Sequence, residues 1–128
     1  MKEEIKILLV DDRTSDREWF TRNLKSIGYS QIKEAVNGQE AINLAEEYKP
    51  HLVLMDTKMP GIEGYEACKK IRQEEYGTNI AIIGMSDGPY KREWLQAGAD
   101  DFLSKDTICF KKDVLEKRIQ EVLDKYQA

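Results

Sequence analysis

Five short apolar runs recur along the chain, and a longer segment with helical spacing follows each of them. The first run, Ile5 to Val10, ends abruptly at a pair of aspartates. The later runs are Gln31 to Val36, Leu52 to Met55, Ile80 to Met85 and Asp101 to Ser104. This alternation predicts a parallel sheet with helices on both faces. Runs that stay apolar without alternating are typical of strands buried on both sides.

The segments between the runs predict the helices. Phe20, Leu24 and Ile27 recur at spacings of four and three residues, which is one helical face, and Gly28 is placed to end that helix. The other predicted helices run through residues 41–48, 65–74, a short stretch ending at Gly98, and 110–126. Asn37 and Gly38 predict a turn after the second strand.

Right-handed crossovers leave few topologies for five such units. We therefore predict an α/β fold of the flavodoxin-like type, a doubly wound parallel sheet with strand order 2-1-3-4-5. Ligands of such sheets bind at the carboxyl ends of the strands, where the order reverses. In this order that position lies between strands 1 and 3.

Composition narrows the class of protein. A length of 128 residues without a linker or repeat predicts one domain, residues 1–128, with no output domain. The net charge is −4, which argues against a surface that binds nucleic acid. No apolar run could span a bilayer, and the charged start leaves no room for a signal peptide. Cys68 and Cys109 are isolated. We expect a cytoplasmic domain that binds no membrane.

Polar residues that can carry chemistry follow four of the strands. Asp11 and Asp12 end the first strand, and Asp56 ends the third. Three converging carboxylates repel one another unless a cation is present, and hard oxygen ligands in an open site suit Mg²⁺. Ser86 follows strand 4 and Lys105 follows strand 5, so a hydroxyl and an ammonium can reach a phosphoryl group at the same edge.

Each of these residues has an ordinary interpretation when it is taken alone. Asp12 could cap the following helix, and Asp56 could open the loop that follows it. Ser86 could be a loop hydroxyl and Lys105 a solvated surface charge. Their coincidence at one edge of the sheet favours a site that performs phosphoryl chemistry, with an aspartate as nucleophile.

At this point four motifs carry a resemblance to a known family. They are ILLVDD at 7–12, LVLMDTKMPGIEG at 52–64, IIGMSD at 82–87 and GADDFLSK at 98–105. The chain resembles a response regulator receiver domain of two-component signalling, from Lys6 to Tyr126. The resemblance implies a phosphorylation-dependent switch that receives its phosphoryl group from a sensor histidine kinase or a histidine phosphotransfer domain, and then acts on an unknown downstream protein.

The resemblance also implies residue roles. Asp56 would be the phosphoacceptor, and Asp11 and Asp12 would bind Mg²⁺ with it. Lys58 would add its backbone carbonyl to the metal. By the same resemblance, Ser86 would be the switch hydroxyl and Phe102 the aromatic residue that reorients on activation. Lys105 would be the partner of the phosphate. The domain would catalyse its own Mg²⁺-dependent phosphorylation and dephosphorylation without being an enzyme in the ordinary sense.

The chain departs from the family after the lysine. Asp106 stands where the family usually has proline, and the segment from Ser86 to Lys105 is about one helical turn shorter than usual. A cis bond before a residue other than proline costs about 2.5–4 kcal/mol. We therefore predict a trans Lys105–Asp106 bond. The extra residues between Asp106 and Phe110 would absorb the altered chain direction, and the Lys105 side chain would still be directed toward Asp56.

Two rival functions are compatible with parts of this pattern. One is a pseudo-receiver, a constitutive protein-binding module that takes no phosphate, although the complete acidic, hydroxyl and lysine set argues against it. The other is a phosphatase of the haloacid-dehalogenase type, which also uses an aspartate nucleophile and Mg²⁺. That family has a second aspartate two residues after the nucleophile, where this chain has Lys58.

Overall fold

A parallel sheet of five strands forms the centre of the molecule in a computed structural model, which describes residues 1–106 and 111–126. The strands are β1 (Lys6–Val10), β2 (Gln31–Ala35), β3 (Leu52–Asp56), β4 (Ala81–Ser86) and β5 (Asp101–Ser104). Their order is β2-β1-β3-β4-β5, with every pairing parallel. The predicted flavodoxin-like topology is confirmed.

Helices connect these strands and cover both faces of the sheet. They are α1 (Thr14–Ile27), α2 (Gly38–Tyr48), α3 (Gly64–Gln73), α4 (Lys91–Gln96) and α5 (Lys112–Asp124). Short 3-10 turns occupy Lys2–Glu4 and Glu75–Gly77. The side chains of α1 and α5 pack on one face of the sheet, and those of α2, α3 and α4 pack on the other. Within the described residues, no helix is long and apolar enough to cross a membrane.

Burial explains why the central strands read as uninterrupted apolar runs. Every residue of β3 and β4 is buried, because helices cover the sheet on both sides. The outer strand β2 is mostly exposed. The helix boundaries follow local signals: Gly28 ends α1 with a φ of 126°, where its backbone N–H bonds the carbonyls of Leu24 and Lys25.

The structure settles local details at Asn37, at Asp12 and at the start of the first strand. The chain bends at Val36 and Asn37 after β2, as predicted, and the Asn37 side chain also accepts a hydrogen bond from the Glu40 N–H and caps α2. Asp12 does not cap α1, because the helix begins at Thr14 after an extended Arg13 and no side chain caps it. The first strand begins at Lys6 rather than Ile5.

The indole of Trp94 fills a slot beside the carboxyl end of β4. A Cβ added to Gly84 would lie 2.1 Å from Trp94 Cδ2, and one added to Gly64 would lie 2.8 Å from Trp94 Cζ2. Two glycines from separate elements thus make room for a fully buried tryptophan from a helix of only six residues.

The peptide bonds between described residues are all trans, and they include the Lys105–Asp106 bond. The prediction made from the missing proline is therefore confirmed. The residues predicted to absorb the altered path, from 107 to Phe110, lie outside the described part of the chain, as does Cys109.

Candidate functional site

Three carboxylates meet at the carboxyl ends of β1 and β3, as the sequence predicts. Oxygen atoms of Asp11, Asp12 and Asp56 lie within 4.8 Å of one another. Asp11 and Asp56 are buried, whereas Asp12 is exposed. The Asp11 carboxylate also accepts the backbone N–H of Arg13 at 3.0 Å, which orients it at the start of the loop. This donor set is one that a hard divalent cation such as Mg²⁺ prefers.

Burial changes the acid strength of these groups. It raises the pKa of Asp56 from 3.8 to about 6, with the nearby Asp11 adding to the rise and the Lys105 ammonium opposing it. Burial likewise raises the pKa of Asp11, against the opposing hydrogen bond from Lys105. The site therefore holds negative charge at an energetic cost that a bound cation would reduce.

Lys105 is buried at the end of β5 and reaches into the acidic cluster. Its ammonium donates to Asp11 Oδ2 at 2.6 Å and lies 3.3 Å from Asp56 Oδ1. The expected direction of this side chain toward Asp56 is confirmed. The surrounding carboxylates outweigh the cost of burying the ammonium and raise the pKa of Lys105, so it stays charged.

A fourth carboxylate, which the sequence reasoning missed, holds the same ammonium. Asp16 lies in the first turn of α1, and its Oδ2 accepts a hydrogen bond from Lys105 Nζ at 2.9 Å. Nothing in the helical spacing of α1 distinguishes Asp16 from a solvated helix residue. The signal that could have found it is its place one turn after the Asp11–Asp12 pair, on a helix that starts at the site.

The opposite wall of the site comes from the last residue of β4 and the loop that follows it. Ser86 is buried, and its Oγ accepts the backbone N–H of Gly88 at 3.0 Å. Across the opening, Arg13 Nη1 and Asp87 Oδ2 lie 4.0 Å apart. These groups border a cleft of about 560 Å³, which is lined by Asp12, Arg13, Asp56, Lys58, Ser86, Asp87, Gly88, Tyr90 and Lys105.

Lys58 and Phe102 occupy different positions relative to this cleft. The Lys58 ammonium is exposed, pairs with Glu63 at 2.7 Å and lies 5.2 Å from the centre of the Tyr90 ring. Phe102 is half-buried on β5 and packs with the cluster that contains Trp94, beside the site rather than in it. A role of the Lys58 carbonyl as a metal ligand, and of Phe102 as a switch, stays a prediction.

Thr57 links the site to α4. Its hydroxyl donates to the carbonyl of Met85 at 2.8 Å and accepts the indole N–H of Trp94 at 2.7 Å. Thr57 follows Asp56 and Met85 precedes Ser86, so one buried hydroxyl connects the ends of β3 and β4 with α4. The helical spacing around Trp94 gave no indication of this contact.

Comparison with known proteins decides the family. A family model described as the response regulator receiver domain matches residues 7–120. The chain belongs to the response regulator receiver domain family. Receiver domains are the phosphoacceptor switches of two-component response regulators, and they interact with histidine kinases or phosphotransfer proteins.

Named relatives agree with this receiver assignment. A probable transcriptional regulator ycf27 of Porphyridium aerugineum is 36% identical over 118 residues, which is 92% of this chain and 48% of that protein. The response regulator GacA of Pseudomonas aeruginosa is 37% identical over 103 residues, or 79% of this chain and 48% of that protein. The chain thus spans about half the length of the curated relatives it matches.

Solved receiver structures share the fold closely. The receiver domain of sensor histidine kinase PA1611 from Pseudomonas aeruginosa superposes with a TM-score of 0.84 at 30% identity, covering 94% of this chain and 98% of that one. That structure has a magnesium ion coordinated in its active site cleft. The donor set of Asp11, Asp12 and Asp56 fits such an ion.

Proposed function

We propose that this receiver domain accepts a phosphoryl group on Asp56 and thereby switches a two-component phosphorelay. One observation carries the assignment to this residue. Asp56 is the buried carboxylate that lies both within the acidic cluster and beside the Lys105 ammonium, at the wall of an open cleft. A nucleophile for phosphoryl transfer needs this combination of access and nearby positive charge.

The chemistry needs little from the protein beyond position and charge. An Asp56 oxygen forms a bond to phosphorus while the phosphorus–nitrogen bond of a phosphohistidine breaks, and the leaving imidazole takes up a proton. Lys105 pairs with the transferred oxygens, because its ammonium already lies 3.3 Å from Asp56 Oδ1. The Ser86 hydroxyl borders the same cleft and can donate to another of these oxygens.

We assign the metal position to Asp11, Asp12 and Asp56, with the Lys58 carbonyl as a further ligand. Bound Mg²⁺ supplies positive charge that offsets the charge of the transferring phosphoryl group. Asp11 already accepts hydrogen bonds from Arg13 and Lys105, so it would share its carboxylate between the metal and these donors. The domain would catalyse its own phosphorylation and dephosphorylation in this way.

The partners follow from the same proposal. A sensor histidine kinase or a histidine phosphotransfer domain supplies the phosphoryl group, and a downstream protein or domain reads the loaded state. We propose residues 1–128 as a single receiver unit that binds neither nucleic acid nor membrane.

Incubation with acetyl phosphate and Mg²⁺, followed by intact-protein mass spectrometry, tests the assignment of Asp56. We expect one added phosphoryl group on the wild-type protein and none on Asp56→Asn. Chelation of the metal with EDTA should abolish labelling of the wild type, because the acidic cluster is then left without its cation.

Asp113→Asn is a matched control, since it makes the same chemical change at an exposed position on α5. It should label like the wild type. Equal labelling of Asp56→Asn and the wild type would show that Asp56 is not the phosphoryl acceptor. An unlabelled wild type would instead favour the constitutive pseudo-receiver.

A further inference from the structure

The Lys105 ammonium contacts three carboxylates at once. It lies 2.6 Å from Asp11 Oδ2, 2.9 Å from Asp16 Oδ2 and 3.3 Å from Asp56 Oδ1. An ammonium has three N–H donors, so these contacts can use all of them. The two shortest contacts are to residues other than the proposed acceptor.

Asp16 differs from the other two carboxylates in its position. Its oxygens do not belong to the cluster of Asp11, Asp12 and Asp56, and it does not line the cleft. It lies in the first turn of α1, and its side chain is only 16% exposed. The partial burial strengthens its attraction for the ammonium relative to that of a fully solvated surface pair.

An ordinary interpretation of Asp16 is available. A carboxylate in the first turn of a helix interacts favourably with the helix dipole, which alone would explain an aspartate here. Glu18 lies on the same helix as an exposed acid, and among the described residues it makes no contact with Lys105. The contact with Lys105, 89 residues away in sequence, is what separates Asp16 from Glu18.

We infer that Asp16 is a positioning residue of the phosphoryl-accepting site, whose carboxylate draws the Lys105 ammonium toward α1 and competes for it with the phosphoryl group on Asp56. The inference rests on the proposed function, because it takes Asp56 as the acceptor. Asp16 thereby limits how strongly the loaded state is held. It also makes the first turn of α1 sensitive to loading, because a phosphoryl group that attracts Lys105 weakens the contact with Asp16.

Beryllofluoride binding measures this competition at equilibrium. The anion mimics a phosphoryl group on an aspartate, and ¹⁹F NMR detects its bound form directly. At saturating Mg²⁺, we expect Asp16→Asn to bind beryllofluoride about twofold to fivefold more tightly than the wild type, as removal of one competing ion pair implies. Asp16→Ala, which removes the acceptor altogether, should behave in the same way.

Glu18→Gln is the matched control, because it removes one negative charge from the same helix at a position without the Lys105 contact. Its affinity for beryllofluoride should equal that of the wild type. Urea unfolding of each variant measures the change in stability that results from losing a negative charge near the dipole of α1.

A double-mutant cycle with Lys105→Ala distinguishes positioning through the lysine from a direct effect of charge. In the Lys105→Ala background, Asp16→Asn should change the affinity no further. Unchanged or weaker binding by Asp16→Asn would overturn the inference, and so would a gain that persists without Lys105. A wild type that binds no beryllofluoride would instead count against the proposed function itself.

Discussion

Burial governs the behaviour of Asp56 at the scale of single residues. Its pKa is raised to about 6 by desolvation, with the Asp11 charge adding to the rise, so the folded protein binds a proton more tightly there than the unfolded chain does. Between about pH 4 and pH 6 the native state holds more protons at this position than the unfolded state. Raising the pH through this range therefore lowers the free energy of unfolding.

Asp56→Asn removes this pH dependence. In EDTA at pH 7, we expect the variant to be more stable than the wild type by about 1–3 kcal/mol, the order implied by the raised pKa. The difference should shrink toward zero below about pH 4, where Asp56 is protonated in both states. Urea denaturation at several pH values measures it.

Asp113→Asn provides the comparison for that series, because its carboxylate is exposed and outside the acidic cluster. Its stability should follow the pH dependence of the wild type. A wild-type protein as stable as Asp56→Asn at pH 7 would contradict the cost assigned to the buried charge.

Contacts between elements depend on pairings that are remote in sequence. The strands were predictable because β1, β3 and β4 are buried on both faces, and a run such as Leu52 to Met55 carries that information locally. The proximity of the aspartates at the ends of β1 and β3 could be predicted from the strand order alone. Asp16 and the Thr57–Trp94 contact were not predictable, because each depends on a residue from a distant element that no local spacing specifies.

Thr57→Val tests the buried connection between β3, β4 and α4. Valine keeps the shape of threonine but leaves the Trp94 indole N–H without its acceptor and the Met85 carbonyl without its donor. We expect the free energy of unfolding to fall by about 1–3 kcal/mol, the usual cost of unsatisfied buried polar groups.

Thr57→Ser keeps the hydroxyl and serves as the matched variant. It should lose less stability than Thr57→Val when both are measured by urea denaturation. A loss in Thr57→Val no larger than that in Thr57→Ser would contradict the importance assigned to the two hydrogen bonds.

At the scale of the whole molecule, one arginine joins segments that the sheet alone does not connect. The guanidinium of Arg72 on α3 donates to the following acceptors: the carbonyls of Gly77, Ile80 and Gly98, the Asp100 carboxylate and the Tyr126 hydroxyl. Tyr126 in turn donates to Asp100 at 2.9 Å. The entries to β4 and β5 and the end of α5 are thereby held at the edge of the sheet opposite the acidic cleft.

Arg72→Lys keeps the charge but loses the planar fork that reaches several carbonyls at once. We expect a loss of about 1–3 kcal/mol in the free energy of unfolding, since the partly buried hydrogen bonds to the carbonyls of Gly77 and Ile80 lose their donor. Arg22→Lys, at an exposed position of α1, should change stability by much less. Similar effects of the two substitutions would contradict a structural role for the fork.

The slot that Gly84 and Gly64 leave for Trp94 gives the protein a built-in optical reporter. The chain has two tryptophans: Trp94 is fully buried, and Trp19 packs partly buried against the core on the opposite face of the sheet. The excited state of an indole responds to the polarity around its N–H, and here that N–H bonds the residue next to Asp56. The ultraviolet emission of Trp94 should therefore change when the surroundings of the proposed acceptor change, so that no attached dye is needed.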